Sequence, residues 1–341
     1  MKFPLLGILL IATEVPTGSS WCSGAQSSLD PAGPQSQQIS NLWWNYFYIC
    51  AAVYGIVLLV LLTALVFRAT HSLSAPITRP STFWESLRAW IVGGLLTATT
   101  TILFVLLIGD YVAGRALHRL KSDSAVKIRA TGHQWWWEFR YEDPEPSNEL
   151  ITANEIHVPV GRPVDFELES TDVIHSFWIP NLLGKRDMIP GHKTHTIMQA
   201  DRPGTFWGQC AEFCGYQHAK MRFVVVAEPE ADFQKWLAAQ RRPAAEPQSE
   251  SERQGRDIFM SRSCIMCHTI QGTMAGGMIG PELTHLASRP KLAAGSLPNT
   301  RGYLGGWITD PQQIKPGVRM PPNALAPGEL QALLDYLQSL K

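Results

Sequence analysis

The sequence has few charged residues and no net charge. Asp, Glu, Lys and Arg make up 17% of its 341 residues, against roughly 25% in soluble domains, and this shortage argues against a wholly soluble or disordered chain. The 29 basic residues equal the 29 acidic residues in number, which argues against a generally basic nucleic-acid-binding protein. At about 150 residues per domain, the length predicts two or three folded units.

The sequence also lacks the dispersed cysteines of a secreted domain that is held together by disulfides. Four of its six cysteines form two close pairs, Cys210 with Cys214 and Cys264 with Cys267, and a histidine follows each pair. Closely spaced cysteines near histidine indicate metal or haem chemistry.

Residues 1–25 resemble a secretory signal peptide that is removed from the mature protein. Lys2 precedes an apolar run over residues 3–12, and small residues follow the run. The run is too short to cross a bilayer, and an uncleaved N-terminal anchor is the alternative. Cys22 is a candidate for lipid attachment, although Trp21 before it fits poorly with the small residue that such a site needs.

Two long uncharged runs predict a transmembrane hairpin within residues 26–121. They cover about 43–67 and 89–109, and a helix over the first run would be ~37 Å long, enough to cross a ~30 Å hydrocarbon core. Burial inside a soluble domain is the alternative for each run. The connector carries Arg68, Arg79 and Arg88, which favours a connector inside the cell and both chain ends outside.

Residues 122–232 predict an all-β domain. Apolar and polar residues alternate over 126–130, 155–160 and 164–169, and turn signals that contain Gly and Pro separate these segments. Many short strands that are separated by turns containing Gly and Pro are typical of a β-sandwich or a barrel.

This domain carries a group of soft metal ligands. The segment C-x-E-x-C-x-x-x-H-x-x-M comprises Cys210, Glu212, Cys214, His218 and Met221, and His175 lies upstream in His-Ser-Phe-Trp. Thiolates with imidazoles favour copper or zinc, and a thioether as a weak ligand favours copper. A zinc site in which Met221 only packs, or a disulfide between the two cysteines, is the alternative.

These motifs resemble the binuclear copper A domain of subunit II of cytochrome c oxidase. The resemblance covers roughly residues 26–232 and includes Gly-His-Gln-Trp-Trp-Trp at 132–137. It implies a cupredoxin fold and a site for two copper ions. It further implies that Cys210 and Cys214 bridge the ions, that His175 and His218 bind one ion each, that Met221 is a weak ligand and that the Glu212 backbone carbonyl completes the set.

The same resemblance implies three further roles. Trp135 would accept electrons from cytochrome c, and the Glu212 side chain would reach a magnesium ion at the border with subunit I. Relatives often have a glutamate at the start of the second span that feeds a proton path in subunit I, and Glu85 is the candidate in this sequence. A plain interfacial glutamate is the alternative for Glu85.

Residues 233–252 are polar and contain proline, which predicts a linker. The following residues, 253–341, contain the c-type haem attachment motif C-x-x-C-H. Its Cys264 and Cys267 would bind the haem covalently and His268 would bind the iron. A chance match or a redox-active cysteine pair is the alternative.

Other features of residues 253–341 favour a class I cytochrome c. Gly-Pro-Glu-Leu at 280–283 resembles the loop that supports the iron-binding histidine in such proteins, and Met320 is the expected second axial ligand. Met274 and Met278 are its rivals, but they lie in a Gly-rich loop close to His268. Leucines at 330, 333, 334, 337 and 340 predict one face of a terminal helix.

The predicted architecture is a two-helix transmembrane hairpin, an all-β cupredoxin-like copper A domain and an all-α class I cytochrome c domain. It resembles subunit II of oxidases that carry their own cytochrome c. The resemblance implies the electron-input subunit of a terminal respiratory haem-copper oxidase, which passes electrons from cytochrome c or its own haem c to copper A and on to the haem of subunit I. There oxygen is reduced to water, coupled to proton translocation. The alternatives are the copper A subunit of a nitric-oxide reductase and a non-catalytic, membrane-anchored module for metal binding or delivery.

The expected cofactors are two copper ions, a covalent haem c and magnesium at the border with subunit I. The expected partners are subunit I and other oxidase subunits, cytochrome c or another electron donor, and the lipid bilayer, with no nucleic acid. The expected location is a bacterial inner membrane, with both soluble domains on the periplasmic side.

The zero net charge is a sum of unlike parts. Residues 122–232 contain 10 basic and 17 acidic side chains, a net charge of −7, whereas residues 253–341 contain 9 and 5, a net charge of +4. This difference predicts that the two soluble domains attract each other electrostatically.

Overall fold

A computed structural model of the protein describes residues 24–70, 82–117 and 124–341. Nearly all of the predicted signal peptide, including Cys22, lies outside the described residues. The described chain contains two long N-terminal helices, then a domain of β-strands, then a domain of short helices. This order confirms the predicted fold class.

The two N-terminal helices are longer than the uncharged runs that predicted them. Helix α1 spans Pro34–Thr70 and helix α2 spans Thr82–Leu117. Both are long and apolar enough to cross a membrane, and their apolar side chains lie exposed on the isolated chain. Glu85 lies exposed in the first turn of α2. Such exposed apolar surface indicates that lipid or other subunits cover these helices.

Ten strands form the second domain. They are β1 (Val126–His133), β2 (Trp136–Tyr141), β3 (Leu150–Ala153), β4 (Glu155–Pro159), β5 (Val164–Ser170), β6 (His175–Ile179), β7 (Leu183–Met188), β8 (Thr194–Met198), β9 (Gly204–Cys210) and β10 (Arg222–Glu228). One sheet has the order β3-β2-β1-β5-β8 and the other has the order β4-β10-β9-β6-β7. Pairs β1–β5 and β4–β10 are parallel, and the remaining pairs are antiparallel.

An aromatic core holds the two sheets together. Alternate residues of β5 are buried, as the alternating sequence predicts. Trp137, Phe177 and Phe223 come from both sheets, are fully buried and lie with ring centroids 5.0–5.8 Å apart. The sandwich, one of the two architectures predicted, is therefore the one that forms.

The chain before α1 is anchored on this sandwich. Asn181 receives the backbone N–H of Ser27 and donates to the carbonyls of Gly24 and Asp30. The Ser36 hydroxyl donates to the Asn181 carbonyl at 2.6 Å. These bonds fix where helix α1 leaves the sandwich.

Part of the segment predicted as a linker is helical. Helix α3 spans Glu230–Gln240, and its Phe233 is 1% exposed because it packs in the core of the sandwich. Trp236 on the same helix stacks on His157 with the ring centroids 4.2 Å apart. The non-helical connection is consequently short, from Arg241 to the N-cap Ser249 of the next helix.

The third domain is a small helical unit. Its elements are α4 (Glu250–Ser261), α5 (Cys264–Cys267), the two-residue strands β11 (Lys291–Leu292) and β12 (Leu297–Pro298), α6 (Arg301–Thr309), α7 (Pro311–Ile314) and α8 (Pro327–Ser339). Helix α8 is the predicted terminal helix. It buries Leu333 and Leu337 against α4, where Phe259 meets Tyr336.

Candidate functional site

Three of the predicted metal ligands converge at one end of the sandwich. His175 begins β6, Cys210 ends β9, and Cys214 lies four residues later in the following loop. Their ligand atoms all lie within 4.8 Å of one another, and all three residues are buried. The two Sγ atoms are 3.7 Å apart and both cysteines are free, whereas a disulfide needs about 2.05 Å. The structure therefore does not contain the disulfide considered as an alternative.

The remaining candidate ligands surround this group. His218 Nδ1 lies 3.5 Å from the Cys214 Sγ, and Met221 Sδ lies 3.9 Å from the same atom. The Glu212 carbonyl oxygen lies 3.1 Å from the Cys210 Sγ. The Glu212 side chain is exposed. The structure thus brings together the six ligands that the sequence predicted for one site.

Asp172 orients His175 and is a residue that the sequence analysis did not select. Its carboxylate lies 2.9 Å from His175 Nε2, so this nitrogen carries the proton and Nδ1 faces the Cys210 sulfur at 3.8 Å. Burial alone would raise the pKa of Asp172, but hydrogen bonds from His175 and from two backbone N–H groups outweigh it and lower the pKa. A carboxylate behind a histidine in this way is typical of metal sites.

Gly132 leaves the space that the His175 ring occupies. A Cβ atom at this position would lie 2.8 Å from the His175 Cδ2 atom. Any other residue at 132 would therefore displace the imidazole from the two thiols.

The electrostatics of the two thiols fit a metal cation. The hydrogen bond from Cys214 lowers the pKa of Cys210, against the effect of burial, and the same bond raises the pKa of Cys214. The opposite shifts show that two negative charges side by side are unfavourable in this site. A cation between the sulfurs would hold both as thiolates. Two thiolates, two imidazoles and a thioether are soft donors that suit copper.

Trp135 connects this group to the third domain. Its indole N–H donates to the Cys214 carbonyl at 2.8 Å, and the Gln134 side-chain amide donates to the same oxygen. Its own carbonyl accepts a hydrogen bond from Lys315 at 2.7 Å. Trp135 is 7% exposed and belongs to the buried apolar cluster of the sandwich. The neighbouring Trp137 lies in the core of the sandwich.

A cavity of about 430 Å³ lies in the third domain, where that domain meets the sandwich. Cys264, Cys267, His268 and Met320 all line it, and its size falls within the roughly 300–1,000 Å³ of cofactor pockets. Met274 and Met278 are 86% and 63% exposed. Met320 is therefore the methionine among these candidates that lines the pocket with His268.

His268 is prepared to bind a metal through Nε2. Its Nδ1 donates to the Pro281 carbonyl at 2.7 Å, which leaves Nε2 without a proton. Burial lowers the pKa of His268, so the neutral form is favoured. Gly280 lies against the ring, and a Cβ there would come within 2.8 Å of the His268 Cε1 atom. The Gly-Pro pair thus fixes the imidazole, as expected of a haem-supporting loop.

The cavity is shared between the two domains. His133, Trp135 and Trp136 of the sandwich line it together with the residues of the C-x-x-C-H motif. Within the described residues, one carboxylate–guanidinium pair crosses the boundary, Arg319 with Asp172 at 4.0 Å. The predicted charge attraction therefore yields few direct ion pairs, and hydrogen bonds to backbone carbonyls make most of the polar contact.

Comparisons with known proteins match both soluble domains. The family described as Cytochrome C oxidase subunit II, periplasmic domain, matches residues 146–228, and the family described as Cytochrome c matches residues 253–341. Cytochrome c oxidase subunit 2 of Alkalihalophilus pseudofirmus is 36% identical over 334 residues, which cover 94% of this chain and 93% of that protein. The Bacillus subtilis protein of the same name is 31% identical over 232 residues, which cover 65% and 64% of the two chains.

A solved structure is also similar. The periplasmic domain of subunit II of cytochrome oxidase from Bradyrhizobium japonicum is 31% identical and covers 36% of this chain and 95% of its own, with a TM-score of 0.33.

Proposed function

The chain belongs to the cytochrome c oxidase subunit II family, and we propose that it carries electrons from a covalently bound haem c to a copper A centre. It is part of an oxidoreductase complex of the membrane, and the family matches imply a copper A site and a haem. The route of the electrons, the number of copper ions and the external donor belong to this proposal.

The copper A centre would be held by the residues that converge at the end of the sandwich. Cys210 and Cys214 would bridge two copper ions, with His175, His218, Met221 and the Glu212 carbonyl as the other ligands. Asp172 keeps the proton on His175 Nε2 and so leaves Nδ1 for copper. Once bound, such a centre takes up and releases single electrons.

The haem would occupy the cavity of the third domain. Cys264 and Cys267 would bind it covalently, and His268 and Met320 would be its axial ligands. The Pro281 carbonyl fixes the His268 tautomer. Ligation by methionine and histidine raises the potential of a haem, which suits electron transfer.

The observation that carries the proposal is the position of Trp135. It lines the haem cavity and donates its indole N–H to the carbonyl of Cys214. One side chain therefore contacts both places at which a redox centre would sit. This proximity supports transfer within the chain.

The rest of the proposal concerns the complex. Copper A would deliver electrons to subunit I, where oxygen is reduced and protons are translocated. The exposed Glu212 side chain would reach magnesium at that border, and Glu85 would feed a proton path. Helices α1 and α2 would both span the membrane, with both soluble domains on the periplasmic side. The proposed units are 1–25 for the signal peptide, 26–121 for the hairpin, 122–232 for copper A, 233–252 for the linker and 253–341 for the cytochrome.

The test is the purified oxidase complex with Cys214→Ser in this chain. The variant should lose copper A, keep its haem c and lose oxygen consumption supported by a reduced donor. Cys50→Ser, on the exposed surface of α1, is the control and should retain activity. Oxygen consumption at the wild-type rate without copper A would refute the proposal, and a complex that reduces nitric oxide but not oxygen would refute its oxidase part.

A further inference from the structure

Two segments of the cytochrome domain form hydrogen bonds with the copper domain. In residues 314–318, the Ile314 carbonyl accepts from Lys220 Nζ at 2.7 Å and the Pro316 carbonyl accepts from the Gln217 amide at 2.8 Å. In residues 293–296, the Ala294 carbonyl accepts the backbone N–H of Arg222 at 3.1 Å. The copper-domain partners thus lie within residues 217–222, which also contain His218 and Met221.

Lys315 lies at the centre of this contact. It is 2% exposed and is the only buried lysine among the residues that the structure describes. Its Nζ donates to the Trp135 carbonyl at 2.7 Å and to the Ala293 carbonyl at 3.2 Å. Within the described part of the chain, no carboxylate forms an ion pair with it. Its hydrogen bonds are therefore made to carbonyls, one in each domain.

Lys315 is placed between the two candidate redox sites. It lines the haem cavity, lies five residues before Met320, and binds the residue whose indole contacts the Cys214 carbonyl. Val318, between Lys315 and Met320, packs against the core of the sandwich. The segment that carries the haem ligand is consequently held on the copper domain on both sides of Gly317.

We propose that Lys315 is a positioning residue, which holds the Met320 segment against Trp135 and so fixes the distance for electron transfer between haem c and copper A. This inference rests on the proposed function. A buried amino group is costly unless its hydrogen bonds are made. Separation of the domains would remove its shortest bond, and the carbonyl of Trp135 would lose its donor. In a variant without this amine, docking would bury the Trp135 carbonyl without the donor that Lys315 provides, whereas undocking would expose that carbonyl to water.

The pKa of this amine is consistent with its burial. Removal from water and, to a smaller extent, the nearby Lys220 lower the pKa of Lys315 to about 7, although Cys214 raises it. A lysine on the surface of an undocked domain would keep its ordinary value. Burial in the contact therefore disfavours the charged form of the amine, and the two hydrogen bonds to carbonyls offset part of that cost.

The experiment uses the full chain in its complex, loaded with haem and copper, with Lys315→Met. A short light pulse from a photoreductant delivers one electron to the haem, and optical absorbance follows its arrival at copper A. We expect transfer to slow by about tenfold, since Lys315→Met leaves the buried Trp135 carbonyl without this donor in the docked state and an unpaired buried group shifts an equilibrium by about that factor. We also expect the rate in the variant to fall as sucrose raises the solvent viscosity, because the cytochrome domain must diffuse into its docked position before each transfer. The reduction potentials of both centres should not change.

Lys193→Met is the matched control. Lys193 pairs with Glu167 of the same sandwich at 2.7 Å and is largely exposed, so its loss should leave transfer fast and independent of viscosity. If Lys315→Met fails to assemble, Lys315→Gln is the second variant, because its uncharged side chain is one atom shorter but still ends in an amide N–H₂ group. It should also slow transfer and make it depend on viscosity.

A wild-type rate that does not respond to viscosity, in whichever of these two Lys315 variants is measured, would overturn the role of Lys315. Absence of transfer from haem to copper in the wild-type protein would instead contradict the proposed function. A mere loss of stability would lower the amount of haem protein without making the transfer rate depend on viscosity.

Discussion

The indole N–H of Trp135 donates to the carbonyl oxygen of Cys214 at 2.8 Å, and this bond joins the domain contact to the metal ligands. The opposite end of the same residue, its backbone carbonyl, receives Lys315 of the cytochrome domain. Trp135, which is 7% exposed, is thus held by hydrogen bonds at its indole N–H and at its backbone carbonyl. Its position follows from contacts that are far apart in sequence.

Trp135→Phe tests the role of the indole N–H. The variant keeps an aromatic ring but loses the bond to Cys214, so transfer from haem c to copper A should slow by roughly 3- to 10-fold, the effect of one lost hydrogen bond. Pulsed photoreduction of the loaded complex measures the rate. Trp236→Phe, which changes a ring of α3 that is stacked on His157 outside the cavity lining, should transfer electrons at close to the wild-type rate. Equal rates in Trp135→Phe and wild type would show that the N–H has no part in the coupling.

Met221→Leu tests the assignment of the weak ligand. Copper should remain bound because the thiolates and imidazoles stay, while the potential of the centre should shift because the weak ligand tunes it. Potentiometric titration and electron paramagnetic resonance measure the two effects. Met198→Leu changes a methionine that is equally buried in the sandwich core and should leave the potential unchanged. An unshifted potential in Met221→Leu would mean that Met221 only packs.

Asp172→Asn tests the orientation of His175. Loss of such a partner behind a histidine costs about 10- to 100-fold in metal affinity, so the variant should release copper to a chelator at correspondingly lower chelator concentration. Asp165→Asn, at an exposed carboxylate on β5, should behave as wild type. If the two variants retain copper equally well, Asp172 does not support the ligand.

Asp335→Asn tests the packing of α8 in the cytochrome domain. The Asp335 carboxylate accepts from the Ser251 hydroxyl at 2.5 Å and pairs with Arg301 at 2.7 Å, and these bonds lower its pKa below the ordinary 3.8. The side chain is 35% exposed, so screening limits the loss to roughly 0.5–1 kcal/mol at pH 7. Because the folded-state pKa is depressed, this stability is present above the ordinary pKa and is lost as the pH falls through the folded value.

Urea unfolding of the holoprotein as a function of pH measures this effect. The difference between wild type and Asp335→Asn should be constant near neutral pH, begin to shrink as the pH falls through 3.8 and disappear below the lowered folded-state pKa. Asp257→Asn, an exposed carboxylate on α4, should show little difference at any pH. If the free energies of unfolding of wild type and Asp335→Asn still differ in acid, the loss of stability comes from the packing of the asparagine side chain and not from the loss of the carboxylate charge.

Most of the proposed metal ligands could be selected from the sequence because their spacing is local. Cys210, Cys214, His218 and Met221 lie within twelve residues on one strand end and loop, and the C-x-x-C-H motif is equally compact. The alternation of short strands predicted the all-β domain but left sandwich and barrel open. Strand pairing decided between them, and it depends on contacts far apart in sequence.

The positioning residues could not be predicted in this way. Lys315 binds a carbonyl 180 residues away, and nothing around it in sequence distinguishes it from a surface lysine. Asp172 lies three residues before His175, and this short spacing is the signal that would have found it. Most of helix α3 was predicted as linker because the segment is mostly polar. Its two aromatic residues, Phe233 and Trp236, pack against the sandwich, and two such residues are too few to give a recognisable helical pattern.

The most direct test of the account is the fate of a single electron placed on haem c in the complex with both centres oxidised. We expect the haem to be reoxidised as copper A is reduced, with equal amplitudes and with a rate that does not change with the concentration of the complex, because the two centres lie in one chain. A haem that stays reduced, or a rate that rises in proportion to the concentration, would contradict it.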